Sequence, residues 1–88
     1  LYDFIDKFMN PSTDIIGFAG IGAMGTPMAG NLVRAGYKLV VFDLDAARTA
    51  AFTRQHSTVA VAKSLADLGA QSTIVITMLP DGKAVRMA

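Results

Sequence analysis

Gly20-Ile21-Gly22-Ala23-Met24-Gly25 sets three glycines at the spacing GxGxxG, and the residues on either side decide what that spacing means. Upstream, Ile15 to Gly20 is an apolar run of strand length. Downstream, Met24 to Ala35 has helical period, with Met24, Met28, Leu32 and Ala35 as its apolar stripe. Pro27 falls in the opening turn, where a missing N–H has no partner to lose, and Gly36 is placed to end the helix. The string alone would mark no more than a tight turn. Set between a strand and a helix, it becomes a loop in which Gly20 permits the turn, Gly22 lets the backbone approach a pyrophosphate, and Gly25 lets helix and strand pack closely. The free N–H groups near Ala23 and Met24, at the positive end of the helix dipole, would hold phosphate charge without a lysine or arginine.

The next strand supplies an independent test. Lys38 to Asp43 is a near-continuous apolar run ending in acid, eighteen positions after Gly25 (43 − 25), against a spacing of about 20 for dinucleotide-binding units. At that strand tip Asp43 can accept both ribose hydroxyls of an adenosine moiety, which favours NAD. It would repel the 2′-phosphate of NADP, a preference of roughly a hundredfold. Leu44 follows where an arginine could have countered the acid, and Arg48, five positions on, is a poorly placed substitute.

Outward from this pair, apolar runs alternate with helical segments, the pattern of βαβ units and a parallel sheet. Ala46 to Gln55 is predicted as a helix capped by Asp45, and Thr58 to Ala62 as a third strand. Leu65 to Gly69 is a short helix capped by Ser64, with Asp67 where a capping box would carry Glu or Gln. Thr73 to Met78 is a fourth strand, Pro80-Asp81-Gly82 a turn, and Lys83 to Ala88 the start of another helix. The fold class is α/β: a Rossmann-type doubly wound parallel sheet of about four strands in the order 3-2-1-4. In that order the fourth strand lies beside the first at the topological switch point, so Met78, Leu79 and Pro80 should line the ligand crevice. The outer edge of that strand would stand unpaired and invite association into an oligomer.

Residues 1–13 read as an N-terminal helix (Leu1 to Asn10) and polar linker, and residues 14–88 as part of a dinucleotide-binding domain. The chain opens on Leu1-Tyr2-Asp3 with no initiator methionine, which reads as a cut end. Eighty-eight residues with 52% hydrophobic and 17% charged side chains suit one small folded domain. A net charge of +1, with basic residues scattered from Lys7 to Arg86, lacks the footprint of a nucleic-acid binder. Ile15 to Val33 is uncharged over nineteen residues, but its five glycines, Pro27 and Asn31 break it up, so no membrane span is expected. The absence of cysteine excludes disulfides and thiolate metal sites and favours a reducing, cytoplasmic setting. His56 stands alone behind a helix, without the acid or nucleophile of a catalytic pattern, and reads as a helix-end residue. Lys63 and Lys83 read as single exposed charges.

The run IIGFAGIGAMGTPMAGNLVRAGYKLVVFD, followed later by VITMLPDGKAV, resembles the N-terminal domain of the 3-hydroxyisobutyrate dehydrogenase family of β-hydroxyacid dehydrogenases. Gly25-Thr26-Pro27-Met28-Ala29 and Met78-Leu79-Pro80 are its more specific marks. The resemblance implies NAD(P)-dependent oxidation of a small 3-hydroxy acid to its semialdehyde, or the reverse. It also maps the family's Leu-Pro pair that approaches the cofactor onto Leu79 and Pro80. The family's catalytic lysine lies in a later glycine-containing motif, a context that Lys7, Lys38, Lys63 and Lys83 do not have, so no catalytic residue and no metal ligand is carried over. A non-catalytic dinucleotide-binding module is the alternative, and a flavin- or methyl-donor-binding domain fits the Thr-Pro-Met helix start and TMLP less well.

Overall fold

The computed structural model describes residues 2–22, 25–78 and 84–87. Its elements run α1 (Tyr2–Phe8), β1 (Ile15–Ala19), α2 (Gly25–Arg34), β2 (Lys38–Phe42), α3 (Ala46–Gln55), β3 (Ala60–Val61), α4 (Leu65–Gln71), β4 (Ile74–Met78) and β5 (Ala84–Met87). The sheet order is β3-β2-β1-β4-β5. β1 pairs in parallel with β2 and with β4, and β2 in parallel with β3, so the order 3-2-1-4 expected from the sequence is borne out.

Alternation along the strands sorts the side chains between two faces. Ile16 and Phe18 of β1, Leu39 and Val41 of β2, and Ile74 and Ile76 of β4 form one buried cluster with Ile5 of α1, Ala29 and Leu32 of α2, and Phe52 of α3. Ala19 and Val40 form a second with Ala62 and with Leu68 of α4. Three helices therefore cover one face and α4 the other, which is the double winding that places β1 and β4 at a switch point. Phe18 is fully buried at the centre, where truncation to alanine costs about 3–5 kcal/mol.

Local signals explain most boundaries. Gly36, at φ +96°, ends α2: its N–H donates to the Val33 carbonyl at 3.0 Å and the Tyr37 N–H to the Leu32 carbonyl at 3.1 Å. This pairing is a Schellman stop, and it needs a residue tolerant of positive φ. The Asp45 carboxylate accepts from the Ala47 N–H and starts α3, as its sequence position implies. At α4, Ser64 Oγ accepts from the Asp67 N–H at 3.0 Å while Asp67 accepts from the Lys63 N–H at 2.8 Å. Aspartate's shorter arm thus completes a reciprocal cap one residue upstream of the usual one. The third strand is shorter than Thr58 to Ala62, and α4 longer than Leu65 to Gly69.

Three expectations are corrected. Met28 is only half-buried at the edge of the core and Ala35 exposed, while Gly25, Ala29, Gly30 and Leu32 are buried: small residues let α2 lie close to the sheet and centre the buried stripe on Ala29 and Leu32; Met24 lies outside the described residues. Ala84–Met87, expected to open a helix, is instead a strand antiparallel to β4, with Met78 opposite Ala84 and Val75 opposite Met87. Pairing with β4 satisfies backbone groups on both strands at once. The β4 edge expected to stand open is consequently covered by β5.

The N-terminal helix rests on the domain. Ile5 is fully buried in the larger cluster, and the Tyr37 hydroxyl, just past the end of α2, donates to Asp6 Oδ1 at 3.0 Å.

Candidate functional site

The carboxyl ends of β1 and β2 lie side by side, because the parallel register sets Ala19 opposite Phe42. Beyond Ala19 the chain turns at Gly20, whose φ of +97° suits glycine, and the Gly20 N–H donates to the Phe42 carbonyl at 2.9 Å. A Cβ on Gly25 would run into the Gly20 carbonyl oxygen and stand 3.3 Å from Phe18 Cε1, so this glycine is required where α2 passes over the end of β1. Gly22 differs. Among the described residues, a Cβ there would meet within 4 Å only the guanidinium of Arg48, at 3.2 Å from Nη1. Among the described residues, a side chain at 22 would have to displace the flexible end of Arg48 but would meet no backbone.

Asp43 stands one residue past β2. Its Oδ2 accepts from the Ile21 N–H and its Oδ1 from the Asp45 N–H, both at 2.8 Å, and its side chain is only 8% exposed. A carboxylate oxygen has a second lone pair, so both oxygens keep acceptor capacity for hydroxyl groups. The tie to Ile21 is a role that sequence reasoning missed. The only signal for it was the register that carries residue 43 alongside residues 20 and 21.

Arg48, on the first turn of α3, is closer than its position in the sequence suggested. Its Nη1 lies 3.8 Å from Asp43 Oδ2 and its Nε 3.8 Å from Asp45 Oδ2, with the side chain 55% exposed. Ion pairs this exposed contribute about 0–1 kcal/mol. Beside them an open cleft of about 420 Å³ is lined by Ile21, Gly22, Thr26, Pro27, Arg48 and Phe52.

The structure thus brings together Gly20, Gly22, Gly25 and Asp43 from the residues that the sequence singled out, and it sets Met78 beside Gly20, with Met78 Cβ 3.2 Å from a Gly20 Cβ position. Ala23, Met24, Leu79 and Pro80 lie outside the described residues. His56 follows α3 as its C-cap, its ring 4.6 Å from that of Phe52, in keeping with a helix-end role. Lys38 Nζ donates to the Ser12 carbonyl at the opposite end of β2, and Lys7 lies over the Phe8 ring. No cluster of metal-ligating side chains occurs among the described residues, and no helix there is long and apolar enough to cross a membrane.

A glycine turn at the carboxyl edge of a doubly wound sheet, locked to the acid of the neighbouring strand, defines a dinucleotide-binding domain of Rossmann type. The chain belongs to the family described as the NAD binding domain of 6-phosphogluconate dehydrogenase, whose model matches residues 15–88. It is similar to the probable 3-hydroxyisobutyrate dehydrogenase of Mycobacterium tuberculosis, at 48% identity over 71 residues, 81% of this chain and 24% of that protein. It is also similar to the 3-sulfolactaldehyde reductase of Escherichia coli, at 41% identity over 71 residues, 81% of this chain and 23% of the reductase. The solved 3-hydroxyisobutyrate dehydrogenase of M. tuberculosis, with L-serine, superposes with a TM-score of 0.67 at 42% identity, covering 76% of this chain and 22% of that one. The chain spans about a quarter of the length of the curated relatives it matches.

Proposed function

We propose that the chain is the cofactor-holding part of an oxidoreductase that acts on the CH–OH group of a small 3-hydroxy acid, or reduces the corresponding aldehyde, with NAD as the hydride carrier. The observation that carries the cofactor assignment is the Ile21–Asp43 hydrogen bond beside Gly22, whose missing side chain faces only the movable end of Arg48 among the described residues. One carboxylate fixes the loop that would face the pyrophosphate and keeps free acceptor sites for the adenosine ribose.

In this reading Gly20, Gly22, Ala23, Met24 and Gly25 receive the pyrophosphate, Asp43 takes the ribose hydroxyls, and Met78, Leu79 and Pro80 border the nicotinamide half. When bound, the nicotinamide accepts or supplies the hydride. The chain's own part is to hold and orient it, since Lys7, Lys38 and His56 stand away from the loop and Lys83 lies outside the described residues. The relatives support the substrate class: one is named for a hydroxy acid and another for a hydroxyaldehyde. The cysteine-free sequence supports a reducing setting, the cytoplasm or an organellar matrix.

Titration of NADH fluorescence with the purified protein tests the cofactor assignment: saturable binding that adenosine diphosphate displaces is expected. A protein with the circular dichroism of an α/β fold that leaves NADH fluorescence unchanged would overturn it. The substrate class is tested by following NAD reduction with 3-hydroxyisobutyrate in a protein that carries this domain at the length of its relatives.

A further inference from the structure

Arg48 lies across the path that the cofactor has to take. Its Nη1 reaches Asp43 Oδ2 on one side and stands 3.2 Å from the Cβ position of Gly22 on the other, so a single guanidinium spans the gap between the ribose acceptor and the bare loop. Asp43 and Arg48 are unequally held. The acid is 8% exposed and anchored by the Ile21 and Asp45 N–H groups, whereas Arg48 is 55% exposed and meets Asp43 and Asp45 at 3.8 Å each, long for ion pairs. The acid is therefore the fixed partner and the guanidinium the one able to move, at little cost. Leu44, the residue beside them, is 94% exposed and leaves the outer side of the pair open to solvent.

An adenosine moiety seated with its hydroxyls on Asp43 would bring phosphate oxygens within reach of this cation. Resting on the cofactor assignment above, we propose that Arg48 is a further cofactor-binding residue: it leaves Asp43 when the adenosine arrives and pairs with that moiety's phosphate. The exchange balances charge. Asp43 gives up a distant cation as it gains two hydroxyl donors, and Arg48 exchanges two long carboxylate contacts for a doubly charged group it can meet with its planar fork. Arg48 thereby offsets the repulsion Asp43 exerts on any phosphate, which a loop relying on backbone N–H groups alone would leave unopposed.

Calorimetric titration of the protein and its Arg48→Ala and Arg48→Lys variants with adenosine, adenosine diphosphate and adenosine 2′,5′-bisphosphate tests the proposal. Arg48→Ala should weaken the two phosphorylated ligands about tenfold, the worth of one charge-assisted contact, and leave adenosine unchanged within about twofold. Arg48→Lys should recover part of the loss, and the salt dependence of diphosphate binding should flatten in Arg48→Ala. A greater loss for the bisphosphate places the contact at the 2′-position, and equal losses place it at the 5′-chain. Diphosphate and bisphosphate affinities that stay within about twofold of the parent, or tighten, in Arg48→Ala would overturn this inference alone. So would adenosine weakening in step with them. Failure of the unsubstituted protein to bind any of the three ligands would instead remove the cofactor assignment on which it rests.

Discussion

The Ile21 N–H donates to Asp43 Oδ2 at 2.8 Å, across twenty-two positions of sequence, so the acid at the tip of β2 is part of the loop that leaves β1. Asp43 consequently has a structural role beside the cofactor role proposed for it, and substitution can separate the two. Asp43→Ala strands the Ile21 and Asp45 N–H groups, and leaving a partly buried donor without a partner costs about 1–3 kcal/mol. In a domain of this size each kcal/mol lowers the melting temperature by about 4–8 °C. Asp43→Asn keeps an acceptor oxygen and should melt nearer the parent while losing ribose affinity. Melting curves beside NADH titrations check both; equal melting of Asp43→Ala and the parent would dissolve the link between acid and loop.

Cofactor choice follows from the same acid. NAD should bind more tightly than NADP, by roughly a hundredfold before any offset from Arg48, and the gap should shrink in Asp43→Ser. Paired titrations of NADH and NADPH read this directly. NADPH binding as tight as NADH in the parent would reverse the assignment of Asp43.

Gly22 and Gly25 should behave oppositely although the motif treats them alike. Among the described residues a side chain at 22 meets only the flexible end of Arg48, so Gly22→Val should fold and fail to bind NADH. A side chain at 25 meets the Gly20 carbonyl, a backbone atom that cannot step aside, so Gly25→Val should lose the fold itself. Circular dichroism with NADH fluorescence separates the two outcomes.

Two ionisable groups make stability depend on pH. Burial, with the Asp6 hydrogen bond and charge in support, raises the Tyr37 hydroxyl above its usual range. A raised acid favours the fold while protonated, so this contribution is complete below about pH 10 and is lost as pH climbs through the folded value. Thermal melts in alkaline buffer should fall less steeply for Tyr37→Phe than for the parent.

At the acid end, the Lys63 backbone N–H, helped by the Gln71 side chain, holds the Asp67 carboxyl below its usual range. Its contribution is present above about pH 4 and disappears as pH falls through the lowered folded value. Asp67→Asn should blunt the acid limb of the melting profile, and an unchanged limb would mean that the α4 cap does not depend on charge.

What the sequence revealed about this fold is what short-range chemistry decides. Asp45 and Gln55 bound α3 because a cap and a helical period are local facts, and Gly36 stopped α2 for the same reason. The position of Asp43 followed from strand alternation, but its bond to Ile21 depends on how two strands lie side by side. The reach of Arg48 toward Gly22 likewise depends on how α3 settles against α2, and no spacing rule encodes that. Residues 84–87 misled because Ala84-Val85-Arg86-Met87 fits helical and extended patterns alike, and the outcome is set by the backbone it meets.

The central position of β1 also has a consequence in time. Its neighbours β2 and β4 both come later in the chain, and the Ile15 N–H is held by Thr73 Oγ1, fifty-eight positions on. During synthesis β1 emerges before either of its neighbours: it can pair with β2 early, but its other edge waits until the residues of β4 have been made. Closure over so long a loop is slow, and until then the backbone that carries the cofactor loop presents an open edge to any other chain nearby. Growth temperature and synthesis rate should therefore govern soluble yield more strongly than the stability of the finished fold.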